Sequence, residues 1–277
     1  MKQHLPKHLL IFGAGYVAHH VAEQALGEGW SISISSCTPQ THQHDKITYF
    51  KFGDDLPPHV DAVLSTVPPR DGQDPVLATY HQQLPEEASW FGYLSSTGVY
   101  GDAQGEPVTE KSPLLGASPR AQARIAAEAA WQTLEQPVHI FRLSGIYGPK
   151  RNMLERLKEG RIYSLEHSDR PVNRIHVKDI AQTVLASLDK TNDERARHEQ
   201  APFIYNLADD LPAPTKDVIT YAAKLLDMPT PPPNESTTSH LHDGSRIVVN
   251  KKIKQVFGIT LFYPTFREGL DGLIDSL

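Results

Sequence analysis

Short apolar runs, each closed by small or polar residues, set the rhythm of the first half of the chain. Leu9-Leu10-Ile11-Phe12 is too short for a buried helix and meets two glycines one residue apart, which predicts a buried strand ending in a tight turn. Behind the turn the period becomes helical, with Val17, Val21, Ala22 and Ala25 on one face. Trp30-Ser31-Ile32-Ser33-Ile34-Ser35 alternates and predicts a second strand, while Lys46 to Phe52 and Val60 to Ser65 predict a third and a fourth. Strands separated by helices pair in parallel through right-handed crossovers. The expected fold is therefore α/β, a doubly wound parallel sheet of the Rossmann type that binds ligands at the carboxyl ends of its strands.

The pattern of the carboxyl third is helical. Pro212 to Thr215 precede a helix with Val218, Ala222, Leu225 and Leu226 on one face, and Thr215 is its expected cap. Pro229 to Pro233, followed by Asn234 to Ser239, read as an exposed loop. Asn250 is placed to cap a helix over Lys251 to Phe257, which Gly258 closes. Phe266, Leu270, Leu273, Ile274 and Leu277 form a stripe that is short and backed by acidic residues, which predicts core packing rather than a membrane anchor.

The glycine turn also carries chemistry. Gly13 can take a backbone angle denied to other residues, and Gly15 lets a diphosphate approach the amides of Tyr16 and Val17, where the helix dipole favours negative charge. Ala18 stands where the dinucleotide fingerprint has its third glycine, a position that requires only close helix-to-strand packing. About twenty residues on, an NAD site ordinarily has an acid for the ribose hydroxyls. Here the second strand ends in Ser35, Ser36, Cys37 and Thr38, with no acid before Asp45. The small hydroxyls leave room for a 2′-phosphate, although no arginine is there to grip it, and this tips the expected cofactor from NAD towards NADP.

A net charge of −6 argues against nucleic acid or an acidic membrane surface as partner, and the expected partner is a small molecule. The lone Cys37 permits no disulfide within the chain, and its expected place is a small buried site. Without a secretory signal or a spanning run, the expected location is the cytoplasm, where the acceptor pattern Asn234-Glu235-Ser236 carries no meaning. The histidine pairs lack metalloenzyme spacing, so no metal is expected.

Tyr93 to Gly101, with Ser95-Ser96-Thr97-Gly98, and Phe141 to Pro149 complete a series with Gly13 to Ala18, Gly53-Asp54 and Ser65 to Pro69. It continues through Arg174 to Asp179, Tyr205-Asn206-Leu207 and Arg246 to Asn250, covering nearly the whole chain. In this order the stretches resemble the extended short-chain dehydrogenase/reductases, the group of nucleotide-sugar epimerases and dehydratases. The resemblance implies an NAD(P)-binding domain over 1–150, with a returning segment near 174–208, and a smaller substrate lobe from 151–173 and 209–277. It places Asp54 against adenine, Ser65, Thr66 and Val67 along the cofactor, and Ser96 on the reacting hydroxyl. A homodimer through a helix pair is common in that family.

The family's proton-transferring pair, a Tyr with a Lys four residues later, is missing. In the register set by Pro119 and Glu128, Arg120 takes the tyrosine position and Arg124 the lysine position, and Tyr-x-x-x-Lys occurs nowhere in the chain. An arginine stays protonated and cannot be the general base. Arg124 can still reach a ribose hydroxyl and Arg120 can grip an anion, or both are solvated. Tyr100, Tyr147 and His176 are the remaining acid/base candidates, each with a packing role as its plainer reading, and Asp179 reads as a helix cap. The pattern resembles the family's atypical branch. Two functions follow: an oxidoreductase or epimerase with a non-standard acid/base, acting on a nucleotide-linked or other small polar substrate, and a non-catalytic dinucleotide sensor.

Overall fold

Leu9, Leu10, Ile11 and Phe12 are wholly buried, as a strand flanked by neighbours on both edges and covered on both faces must be. The computed structural model describes residues 7–39, 44–162, 170–189, 202–233 and 245–275. In chain order the elements are β1 (His8–Phe12), α1 (Tyr16–Gly27), β2 (Ser31–Ser36), β3 (Ile47–Lys51), β4 (Ala62–Ser65), α2 (Pro75–Tyr80) and β5 (Trp90–Ser96). They continue with β6 (Pro107–Val108), α3 (Pro119–Trp131), β7 (Val138–Leu143), β8 (Gly145–Tyr147), α4 (Met153–Lys158), β9 (Arg174–His176) and α5 (Val177–Asp189). The last are β10 (Phe203–Leu207), α6 (Thr215–Leu225), β11 (Ile247–Val248), α7 (Lys251–Phe257) and α8 (Phe266–Ile274).

The chain divides into two compact units. The first takes Met1–Ser96, Pro119–Arg142 and Ile180–Tyr205. Its seven-stranded sheet has the order β10-β7-β5-β4-β1-β2-β3, and the pairs β2·β3, β1·β2, β1·β4 and β4·β5 all run parallel. The order reverses between β1 and β4, where doubly wound sheets bind ligands. On one side of the sheet the core joins Leu10, Phe12, Val63, Tyr80, Phe91 and Trp131. Among the described residues no helix separates β3 from β4, so the expected alternation breaks at this second connection. Gly53 at φ +103° and the pair Pro57-Pro58 keep the second connection from winding into a helix.

The second unit takes Thr97–Ser118, Leu143–Asp179 and Asn206–Leu277. Leu154 and Leu157 of α4, Val218 and Ala222 of α6, and Phe266, Leu270 and Leu273 of α8 meet in its core. β8 and β9 pair in parallel with Tyr147 opposite His176, and β6 pairs with β11.

Two expected caps are corrected, and a third stands in place without a side-chain cap bond. Helix α6 is capped at Pro214, which leaves Thr215 as its first helical residue, and the Thr215 hydroxyl accepts from Arg174 instead. Asn250 does stand at the N-cap of α7, yet its side chain makes no cap bond, and its Nδ2 donates to the Ala208 carbonyl and to Asp210. Asp179 lies inside the first turn of α5, where the Lys178 amide is met by the His176 ring, and its carboxylate accepts from the Phe262 and Tyr263 amides. Gly258 closes α7 at φ +67°, as expected. The loop expected over Asn234 to Ser239 and the end of the last stripe at Leu277 lie outside the described residues.

Candidate dinucleotide site and the acid/base positions

The row formed by Ser35, Phe12 and Ser65 across β2, β1 and β4 marks where the sheet ends, and Gly13 follows directly. Gly13 turns the chain at φ +94°, a left-handed angle, and a Cβ there would lie 2.8 Å from Thr66 Oγ1. Two strands brace the turn. The Gly13 amide donates to the Ser35 carbonyl at 3.2 Å, and the Thr66 hydroxyl donates to the carbonyl of Phe12 at 3.0 Å. Gly15 then caps α1 with no side chain, and a Cβ built there meets nothing within 4 Å. The first turn of α1 holds no acidic residue. An exposed helix start with open space above it fits the diphosphate of a dinucleotide.

Around this turn the sequence-predicted contacts fall as follows. Val17 and Ala18 are buried and pack α1 onto the sheet, while Tyr16 is half-buried with its ring edge-on to His20. Ser36 is buried and accepts from the Thr38 amide at 3.1 Å. Cys37 is exposed, which corrects its expected buried place: β2 ends at Ser36, so Cys37 falls in the turn beyond it. The Ser65 hydroxyl is buried without a hydrogen-bond partner, and Val67 packs on the core. Asp54 is exposed, in a loop held by a side chain that sequence reasoning missed. Tyr80 Oη accepts from the Gly53 amide at 2.5 Å and donates to the Asp54 carbonyl at 3.1 Å.

At the end of β5, Ser96 is half-buried and Arg120 is exposed at the start of α3. Arg124 is committed elsewhere: its Nη1 donates to the Leu94 carbonyl at 2.6 Å and to Tyr93 Oη at 3.1 Å. It clamps α3 to β5 and is no solvated arginine. Burial pushes the Tyr93 phenol up to about 12, against the pull of Arg124, so this tyrosine stays neutral. One turn further along α3, Glu128 meets Arg142 at 2.7 Å and accepts from the Ser95 hydroxyl at 2.5 Å. Sequence reasoning missed this pair, although an arginine inside the apolar run Val138–Leu143 signals a buried partner.

The other acid/base candidates belong to the second unit. Tyr100 is buried and donates to Asn206 Oδ1 at 2.6 Å. Tyr147 is buried against the edge of His176, and burial drives its phenol far above the ordinary value. His176 is buried and also packs on Tyr263 with ring centroids 4.1 Å apart. Burial pushes Asp179 up to about 6, opposed by the two amides it accepts from. Asp209, also missed, is 2% exposed, with the Leu211 backbone amide and Arg174 facing its carboxylate. Burial pushes it up to about 8, against the attraction of Arg174. Among the described residues no group of three or more His, Cys, Asp or Glu could hold a metal ion, and no helix is long and apolar enough to cross a membrane.

No family model and no curated protein matches the sequence. Among solved structures, a functionally unknown conserved protein from Silicibacter pomeroyi is 33% identical, with 98% of this chain and 99% of that chain covered at a TM-score of 0.87. The two chains belong to one family. The fold is also that of solved epimerases and dehydratases, although Tyr-x-x-x-Lys occurs nowhere in this chain. The dTDP-glucose 4,6-dehydratase of Bacillus anthracis, solved in complex with NAD, shares the fold at 17% identity over 97% of this chain and 96% of that one, with a TM-score of 0.76. So does the UDP-glucose 4-epimerase of Thermotoga maritima, solved with UDP-glucose, at 14% identity over 97% of each chain and a TM-score of 0.79.

Proposed function

We propose that the first unit binds a nicotinamide dinucleotide, NAD or NADP, and that the protein uses it in oxidoreduction or epimerisation of a small polar substrate, nucleotide-linked or otherwise. The observation that carries this reading is the pairing of a braced, left-handed Gly13 with open space over Gly15 at the start of α1. The diphosphate would lie over the amides of Tyr16 and Val17, with Ser36, Thr38 and Asp54 towards the adenosine and Ser65, Thr66 and Val67 towards the nicotinamide. The dinucleotide supplies a hydride acceptor or donor when bound. Ser96 would hydrogen-bond the reacting group. The acid/base would be no tyrosinate at the usual place, since Arg120 stands at the tyrosine position and Arg124, at the lysine position, is tied to β5. A homodimer, on the strength of the resemblance, and a cytoplasmic location complete the reading.

A second reading, a dinucleotide sensor without turnover, is favoured by the arginines that replace the Tyr and Lys. Fluorescence titration with NADH and NADPH, followed by a hydride-transfer screen on sugar nucleotides and small carbonyls, separates the readings. Binding with turnover supports the enzyme, binding alone supports the sensor, and no binding below about millimolar removes both. The two titrations also decide between NAD and NADP.

A further inference from the structure

The second unit has a pocket of about 350 Å³ whose walls, among the described residues, carry Lys150, Arg151, Arg156, Arg161 and Arg174 against one carboxylate, Glu155. The chain as a whole is acidic, with 27 basic and 33 acidic residues. Gathering like charges around one hollow costs self-repulsion that an anionic ligand would relieve. Neighbouring acids cover part of the excess: Arg161 pairs with Glu159, and Arg174 feels Asp209 and Asp217. Lys150 and Arg156 are exposed on the same wall.

The backbone presents Lys150 at some cost. Gly148 and Arg151 exchange both backbone hydrogen bonds at 3.1 Å, closing a tight turn over Pro149 and Lys150. Lys150 stands at φ +59°, in the turn position where glycine or asparagine is preferred. Arg174, at the other side of the wall, is fixed by bonds from Nη1 to the carbonyls of Val172 and Ala213 at 2.8 and 2.7 Å.

Among the described residues, the pocket's aromatic side chains speak against a nucleobase. Tyr147 and Phe266 reach the wall, but they are 8% and 1% exposed and belong to the core of the unit, so neither offers a face for stacking. The volume is at the lower end of small-molecule sites. Arginine forks match phosphate oxygens two at a time.

We propose that this pocket takes the phosphate of a compact phosphorylated substrate that carries no nucleobase. This rests on the reading that the second unit is the substrate lobe, and it narrows the substrate class of the proposed enzyme from nucleotide-linked to simple phosphate esters.

The test is calorimetric titration of the full-length protein with inorganic pyrophosphate, with UDP, and with uridine, in the presence of saturating NADH so that the glycine turn is covered. Pyrophosphate is expected to bind, UDP to bind no tighter than pyrophosphate, and uridine not to bind. Lys150→Glu and Arg156→Glu, both at exposed side chains, are each expected to weaken pyrophosphate by roughly tenfold or more and to leave the NADH titration unchanged. Arg156→Ala repeats the test without a reversed charge. Absence of pyrophosphate binding, indifference to all three variants, or UDP binding tenfold tighter than pyrophosphate would overturn the proposal. Pyrophosphate binding that responds to the variants in a protein that does not bind NADH supports the pocket and removes the cofactor reading.

Discussion

Arg142 on β7 and Glu128 on α3 meet at 2.7 Å inside the first unit, with side chains 2% and 1% exposed. The carboxylate also accepts from Arg142 Nε and from Ser95, so the pair is hydrogen-bonded on several sides. Removing one partner strands a buried charge. Arg142→Met is therefore expected to cost about 3–5 kcal/mol in denaturant unfolding, and adding Glu128→Leu should recover a large part of that loss. A single-variant loss under about 1 kcal/mol would contradict the burial of the pair.

Gly13 and Gly15 should respond differently to alanine. At Gly13 the added methyl meets Thr66 at 2.8 Å and the backbone is left-handed, so both stability and NADH affinity are expected to fall. At Gly15 the added methyl meets no protein atom, and φ is −87°. Gly15→Ala should keep its Tm within a few degrees and yet weaken NADH by roughly tenfold, because the methyl occupies the approach to the helix start. Unchanged affinity in Gly15→Ala would mean that the dinucleotide does not lie over this turn.

The two arginines at the pair positions of α3 should separate by stability. Arg124→Ala leaves the Leu94 carbonyl and the Tyr93 hydroxyl without their donor, for an expected loss of about 1–3 kcal/mol. Arg120→Ala removes an exposed side chain and should stay within about 0.5 kcal/mol. Thermal unfolding of both variants checks this, and equal losses would be against it. Ser96→Ala should lower any turnover without a comparable change in Tm.

Asp209 gives stability a pH dependence of defined sign. Its carboxyl is raised from 3.8 to about 8 by burial, with Asp210 and Asp179 pushing the same way and Arg174 opposing. Between those values the folded protein holds a proton that the unfolded chain has lost, so stability falls as pH rises through that window. Asp209→Asn, which cannot ionise, should gain on the parent protein from about pH 4 to pH 8, by an amount on the order of a few kcal/mol at the upper end. Unfolding curves at pH 5 and pH 8 check it, and a constant difference between the two proteins would refute the shift.

The sheet can be read from the sequence because its strands are short, apolar and separated by turn residues, and β1 and its glycines stand within a residue of their expected bounds. Apart from the helix missing between β3 and β4, the misreadings concern single side chains with two uses open to them. Asp179 has the composition of a cap, but the polar groups it satisfies are amides more than eighty positions away. Cys37 has the size and polarity of a buried residue, but it falls in the turn just beyond the end of β2 and is exposed there. The partners of Arg124 lie on β5, so only the folded chain shows that its guanidinium is occupied. Asp209 resembles any acid of a turn, and its burial is a property of packing alone.

The Thr66 hydroxyl, anchored to the Phe12 and Gly13 carbonyls, holds the glycine turn in shape before any ligand arrives. A loop of this kind has little freedom left to surrender on association. Cofactor capture should thus be fast and nearly lock-and-key, and loosening the anchor, as in Thr66→Val, should show itself as a slower on-rate rather than a shorter residence time.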